Sequence, residues 1–326
     1  MGRRAGFIAG RVLQHLFALL VMVTLNFLLP RLMPGSPLRW IAGEDVSLLP
    51  PEVRAEIIRE HGLDRPLGEQ YLAYLARLLR GDLGHSYREK RPVSGIIRER
   101  LGWTALLVGT GLVLSTIIGI ALGTLAAWRR GGAVDLVSLG ACVWLGSMPS
   151  FWLGMMLMAI FSAQLGLLPA FGARSPWPVG GGLLQVWDVL RHLALPVTTL
   201  VLVMLPRSFL LMRYTLSEVL GEEFISVARA KGLGERAVVY RHALRNALLP
   251  VVTDLMLSLG RIAGGAVVVE TVFAWPGLGR LMYEAVLARD YPVLQAAFLV
   301  LAVGVIVGNI LADAVYPFLD PRIRHD

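Results

Sequence analysis

The residue types that perform covalent or metal chemistry are sparse in this chain. Its six histidines are scattered, and His15, His85 and His192 each lack a partner at metal-ligand spacing. The single cysteine, Cys142, sits in an apolar run, so neither a disulfide framework nor a CxxC pair can form. No GxxxxGK[ST] phosphate loop, HExxH helix or GxSxG elbow occurs. The chain is expected to bind no nucleotide, metal or other cofactor, and it offers no catalytic residues. What remains is chemistry by charge. Asp254 and Arg261 are seven residues apart, on one face of an apolar segment. Charges at that depth are costly and normally face a cavity or a partner. A local pair, or one across a dimer, is the expectation.

The other polar concentration is Glu222 to Pro250, between two apolar segments. It carries Arg229, Lys231, Arg236, Arg241, His242 and Arg245. Its first half opens on Glu222 and Glu223 and closes on cations, the polarity that suits a helix dipole. Phe224, Val227 and Ala228 fall on one face by spacing. Gly232 can take the left-handed position of a helix stop. Glu235 opens a second helical repeat with Val238, Val239, Ala243 and Leu244. Two helical arms around Gly232-Leu233-Gly234 predict an L-shaped lever that receives force from another protein. The competing account is a basic loop held inside by the positive-inside rule.

The elements that must carry these residues are membrane helices. The 326 residues are 56% hydrophobic with mean hydropathy +0.64, and only 17% are charged, against about 25% in soluble domains. That composition excludes a soluble globule. The net charge of +8 is no argument for nucleic acid, because the cations cluster between apolar runs. Six spans are predicted: 7–29, 103–127, 136–161, 192–214, 248–269 and 293–316. Arg3 and Arg4 before the first run superficially resemble a signal peptide, but without an Ala-x-Ala exit an uncleaved span is expected. Short-loop cations put both termini in the cytoplasm. Within the first span, Thr24 and Asn26 suggest helix–helix hydrogen bonds. Pro149, with Ser147 and Ser150, should kink the third span. Arg207 in the fourth span should snorkel to the inner boundary. Residues 31–100 hold 12 Lys/Arg and 10 Asp/Glu and two amphipathic helices, and read as an outside subdomain.

The expected fold class is thus an all-α membrane protein of six transmembrane helices, with a helical extracytoplasmic subdomain between spans 1 and 2. The expected division is 1–30 for the N-terminus and first helix, 31–102 for the outside segment, 103–317 for the core with the loop 215–247, and 318–326 for a cytoplasmic tail.

Ala228-Arg229-Ala230-Lys231-Gly232-Leu233 followed by Arg241-His242-Ala243-Leu244-Arg245-Asn246 resembles the EAA loop of ABC-importer permeases. The wider chain is similar to the first permease subunit of the dipeptide/oligopeptide/nickel importers. The similarity runs through Gly62 to Leu67, Gly81-Asp82-Leu83-Gly84, Pro149 to Gly154, Gly264 to Phe273, Pro276-Gly277-Leu278-Gly279 and Leu319-Asp320-Pro321-Arg322. Ser226 stands where the general motif has Glu, and Arg245 where it has Pro. The peptide subfamily resembles this chain at both positions.

The resemblance implies a permease in a bacterial-type inner membrane, working by alternating access. It would pair with a homologous permease, two ATP-binding-cassette ATPases that use the ATP, and an extracytoplasmic binding protein delivering peptides. Glutathione or a nickel chelate also falls within the family's cargo. The ATPase-docking residues it implies are Phe224, Ile225, Val227, Ala228, Arg229, Ala230, Lys231, Gly232, Leu233 and Gly234. Translocation-path candidates are Ser147, Pro149, Ser150, Asp254 and Arg261. From residues alone, a secondary transporter coupled through Asp254 and Arg261 stays open. A membrane-embedded enzyme would need clustered histidines or acids, which are missing.

Overall fold

The structure is a computed structural model, and it describes residues 2–32, 50–60, 62, 64–177, 180–261 and 266–319. Regular structure among these residues is helical, apart from one antiparallel bridge between His85 and Pro92. The chain begins with α1 (Gly2–Leu32). Two short helices follow, α2 (Pro51–Glu60) and α3 (Leu67–Leu79), where the amphipathic patterns place them. Residues 33–49 of that segment lie outside the described residues.

Among the described residues, three helices are long and apolar enough to cross a membrane: α4 (Val93–Trp128), α7 (Leu183–Val219) and α13 (Tyr291–Leu319), the last over Tyr291–Leu311. A fourth span is made if the bent pair α5 (Ala133–Gly146) and α6 (Ser150–Leu157) counts as one. At about 1.5 Å per residue, the 36-residue α4 outreaches a hydrocarbon core of about 30 Å. Its first turns, with Arg98, Glu99 and Arg100, therefore project beyond it. The helix is continuous through residue 102.

The tightest axis of the bundle is α4 against α7. Glycine makes the approach possible. A Cβ at Gly111 would stand 2.9 Å from the Leu200 Cβ, at Gly119 2.6 Å from the Ser208 Cβ, and at Gly123 2.8 Å from the Met212 Cβ. Gly119 and Gly123 have the small-xxx-small spacing that lets membrane helices meet closely.

Span 3 departs from expectation. Instead of one helix kinked at Pro149, the chain ends α5 at Gly146, turns, and restarts at Ser150 with a 102° bend. Proline disfavours helical conformation in the residue before it, and it lacks a donor. Met148-Pro149 thus stops one helix and Pro149 caps the next (φ −62°, ψ 135°). α6 runs on into π-helical turns at Met158–Gln164. Gly146 packs against Pro206 of α7, which holds the break on the bundle.

The polar residues of α1 are helix–helix ties as anticipated. The Thr24 and Tyr71 hydroxyls lie 2.7 Å apart, and Asn26 and Gln295 exchange side-chain-to-backbone bonds of 2.7 and 2.8 Å. They anchor α1 to α3 and α13.

Candidate functional site

At the end of the bundle where α4 finishes, the elbow end, α7 leads into α8 (Glu223–Ala230), then a turn, then α9 (Glu235–Ala237), π-helical turns at Val238–Ala243, and α10 (Leu244–Arg261). Glu223 in the first turn of α8 and Arg229 in the last match its dipole. Gly232 adopts φ +77° with open space around it, so conformation rather than room demands glycine there. Its amide donates to the Arg229 carbonyl at 2.9 Å. The Arg229 Nε then donates across the bend to Glu235 Oε1 at 2.9 Å and ties the two arms of the elbow.

The apolar stripe differs from the sequence expectation. Ile225 and Ala228 turn inward and are buried, whereas Phe224 and Val227 are exposed. The inward pair packs with Met212 and Leu216 of α7, Val238, Val239 and Ala243, Ala247 and Val251 of α10, and Ala127 of α4. Three-residue spacing sets both stripes, and only the neighbouring helices decide which one faces in. Phe224, Val227 and Leu233 consequently form an open apolar patch, with Ala230, Lys231 and Gly234 exposed beside it.

A second tie stabilises this end. Asp135, in the first turn of α5, is buried and accepts from Arg213 Nε at 2.6 Å, Arg213 Nη2 at 2.9 Å and the Gly131 amide at 3.0 Å. Charge spacing did not single out Asp135. Its only sequence signal is its place just after the basic turn Arg129-Arg130-Gly131-Gly132.

Among the described residues Asp254 has a partner that spacing did not single out. Asp254 of α10 pairs with Arg207 of α7 through two guanidinium nitrogens. The side chain of Arg261 lies outside the described residues. Arg207 is therefore a paired residue, where sequence suggested a snorkelling one. Its side chain remains 61% exposed against 19% for Asp254. The α5–α6 break abuts Pro206, the residue before Arg207. Ser147 and Pro149 are exposed at that break, Ser150 is half-buried, and the Ser147 hydroxyl donates back to Val143 at 2.9 Å.

At the opposite end, where α4 begins, α11 (Val267–Val272) and α12 (Leu278–Leu287) close on each other. The Glu270 carboxylate is fully buried and accepts from the Thr104 hydroxyl at 2.8 Å and from the Arg280 amide at 2.9 Å, with the Gly279 amide beside them. It thus caps the N-terminus of α12. A Cβ on Gly277 would lie 2.3 Å from the carboxyl carbon, so the glycine makes room for the acid. The Thr104 hydroxyl accepts from the Leu278 amide at 2.7 Å, and Trp275 donates to the Trp103 carbonyl at 3.0 Å. Asp290 does similar work, with its carboxylate taking the Ser86 hydroxyl and the Tyr87 and Arg88 amides. Among the described residues no group of three His, Cys, Asp or Glu converges as a metal site would require.

This arrangement has clear relatives. Residues 119–325 match the family described as binding-protein-dependent transport system inner membrane component, and residues 5–108 match its N-terminal component. The chain is 35% identical over 329 residues to the dipeptide transport system permease protein DppB of Alkalihalophilus pseudofirmus, covering 97% of this chain and 98% of the other. It is 38% identical to DppB of Escherichia coli, covering 92% and 93%. It is 39% identical to the glutathione transport system permease protein GsiC of Salmonella choleraesuis, covering 98% and 99%. In fold it is similar to a chain of the inward-facing methionine ABC transporter MetNI, with TM-score 0.55 and 16% identity, over 70% of this chain and 97% of that one. By the matched length and by identities of 35–39% over nearly the whole chain, the chain belongs to the binding-protein-dependent transport system inner membrane components, as an ABC-importer permease of the dipeptide/oligopeptide family.

Proposed function

We propose that this chain forms one half of a peptide path through a bacterial cytoplasmic membrane, with six spans and both termini inside. It pairs with a homologous permease and takes di- or oligopeptides from an extracytoplasmic binding protein. Two ATPase subunits drive it from the cytoplasm. The observation that carries this reading is the inner elbow, whose apolar patch of Phe224, Val227 and Leu233 is open while Ile225 and Ala228 lock it onto α7 and α10. A monomer gains nothing from exposing that patch, whereas a docking ATPase would bury it. The Gly232 bend and the Arg229–Glu235 tie make the elbow stiff. Movement of a docked ATPase would then pass through Ile225 and Ala228 into both helices rather than be absorbed by the loop. ATP-driven closure of the ATPases would rock the spans and switch the open side of the path.

The path face is the one carrying Arg207 and Asp254. A guanidinium so exposed at membrane depth is costly against lipid and is tolerated beside water or a partner subunit. Ser147, Pro149 and Ser150 at the break, and Arg261 further along α10, belong to the same proposed lining. ATP is bound by the partner subunits, and no cofactor by this chain.

The test is co-reconstitution with the second permease, the ATPases and the binding protein in proteoliposomes. Val227→Asp and Gly232→Glu should abolish ATP-dependent dipeptide uptake while membrane insertion is unchanged. Uptake that survives both changes would overturn the docking assignment. Uptake by this chain alone, without ATP, would favour a secondary transporter. Glutathione and nickel-chelate uptake in the same vesicles ranks the cargo.

A further inference from the structure

Above the bundle, the outer ends of α1 and α13 enclose a cleft of about 920 Å³ together with α3 and the 82–90 turn. Neither the inner elbow nor the path face uses it. Its described lining is strongly cationic, with Arg31, Arg59, Arg65, Arg77 and Lys90 against one acid, Asp82. The acid is already engaged, because its carboxylate accepts from the Gly84 amide at 2.9 Å. Arg31 is held in place by bonds to the Phe27 carbonyl and Gln70 and by stacking 3.6 Å over the Phe27 ring. Arg77 and Lys90 are exposed and have no carboxylate partner among the described residues. Burial, with the Asp290 carboxylate beside it, pushes the Tyr87 hydroxyl up to about 12, and burial likewise raises that of Tyr74. Both tyrosines in the cleft therefore stay protonated near neutral pH and keep a donor available.

The walls are not uniformly polar. Leu78 of α3 and Leu299 of α13, both partly exposed, supply an apolar floor beside the cationic rim. A dissolved anion would use only the cationic rim. An anion that carries hydrocarbon would use the rim and the floor together. We propose that this cleft binds the phosphate headgroup of an anionic phospholipid, with Arg77 and Lys90 as its principal free cations and the acyl chains against the floor. Guanidinium and ammonium donors give phosphate short charge-assisted bonds, and a bound lipid would join α1 to α3 and α13.

The test is native mass spectrometry of the delipidated full chain in neutral detergent. Phosphatidylglycerol, phosphatidylcholine and inorganic phosphate are the probes. Phosphatidylglycerol should bind, and phosphatidylcholine and inorganic phosphate should bind much more weakly. The double variant Arg77→Gln with Lys90→Gln should lose about tenfold or more in phosphatidylglycerol affinity at an unchanged melting temperature. Arg77→Lys with Lys90→Arg should retain it, and Arg236→Gln on the inner elbow should match the wild type. Equal binding of the two lipids, or full affinity in the double Gln variant, would overturn the proposal. Inorganic phosphate binding as tightly as phosphatidylglycerol would overturn the lipid assignment in favour of a dissolved anion.

Discussion

The two ends of the molecule are held by different physics. The end opposite the elbow is sewn with buried carboxylates: Glu270 caps α12 and Asp290 gathers the 86–88 turn, each satisfied by backbone amides and a hydroxyl. The elbow end has one such carboxylate, Asp135, which takes Arg213 and the Gly131 amide, but the elbow itself is held by a small apolar cluster around Ile225 and Ala228 and by an exposed ion pair, and it leaves apolar surface uncovered. Directional bonds in a dry site define one arrangement and are costly to break. Apolar contacts are non-directional, and open apolar surface accepts a new partner. The contrast teaches that directional bonds fix one end of the bundle while the elbow at the other end presents open apolar surface.

The sharpest way to break this contrast is Glu270→Ala. It orphans the Thr104 hydroxyl and the Arg280 amide in a buried site and should cost about 3 kcal/mol or more. The measurement is the melting temperature in detergent, where a loss under about 1 kcal/mol would mean the frame does not depend on the carboxylate. Next is Asp135→Asn, which weakens the tie between α5 and α7. Leaving the Arg213 guanidinium without its carboxylate should cost about 2 kcal/mol, read as a lower denaturation midpoint. Gly232→Ala should cost about 1 kcal/mol, because φ +77° strains any side-chain-bearing residue even where there is room. A null result would show that the elbow can re-form without that turn. The smallest effect belongs to Arg229→Gln. The Arg229–Glu235 pair is exposed on both sides, so stability should change by under about 0.5 kcal/mol. Its predicted signature is fewer peptides moved per ATP in the reconstituted complex. A change in stability with coupling intact would reverse the roles given to the two ends.

Much of the elbow was legible from residue order. The Glu-first, Arg-last polarity of α8, the Gly232 stop and the helical restart at Glu235 are local effects, settled within a few residues. The paired helices 51–60 and 67–79 followed from amphipathic spacing and Pro51. The bend at Met148-Pro149 was half legible. A proline announces an interruption, but its 102° angle depends on Gly146 seating against Pro206 from another helix. Arg207 was not legible as a partner of Asp254, because seven-residue spacing identifies a shared face and says nothing of which helix lies opposite. Gly119-x-x-x-Gly123 was the signal overlooked, since it marks where α7 would come closest.

The sequence by itself determined that this is a helical chain of membrane-span composition, that helices lie at 51–60 and 67–79, and that Gly232 and Glu235 punctuate the elbow. Apolar length, charge placement and glycine or proline conformation act locally, within about one turn or one bilayer thickness. Only the tertiary structure decided that Ile225 and Ala228 face in while Phe224 and Val227 face out, that Arg207 takes Asp254, that Asp135 takes Arg213, and that Glu270 disappears beneath Gly277. Each of these joins residues far apart in the chain. A buried charge or donor is satisfied by whatever atom the packing brings within about 3 Å, and residue spacing along one helix carries no record of that atom.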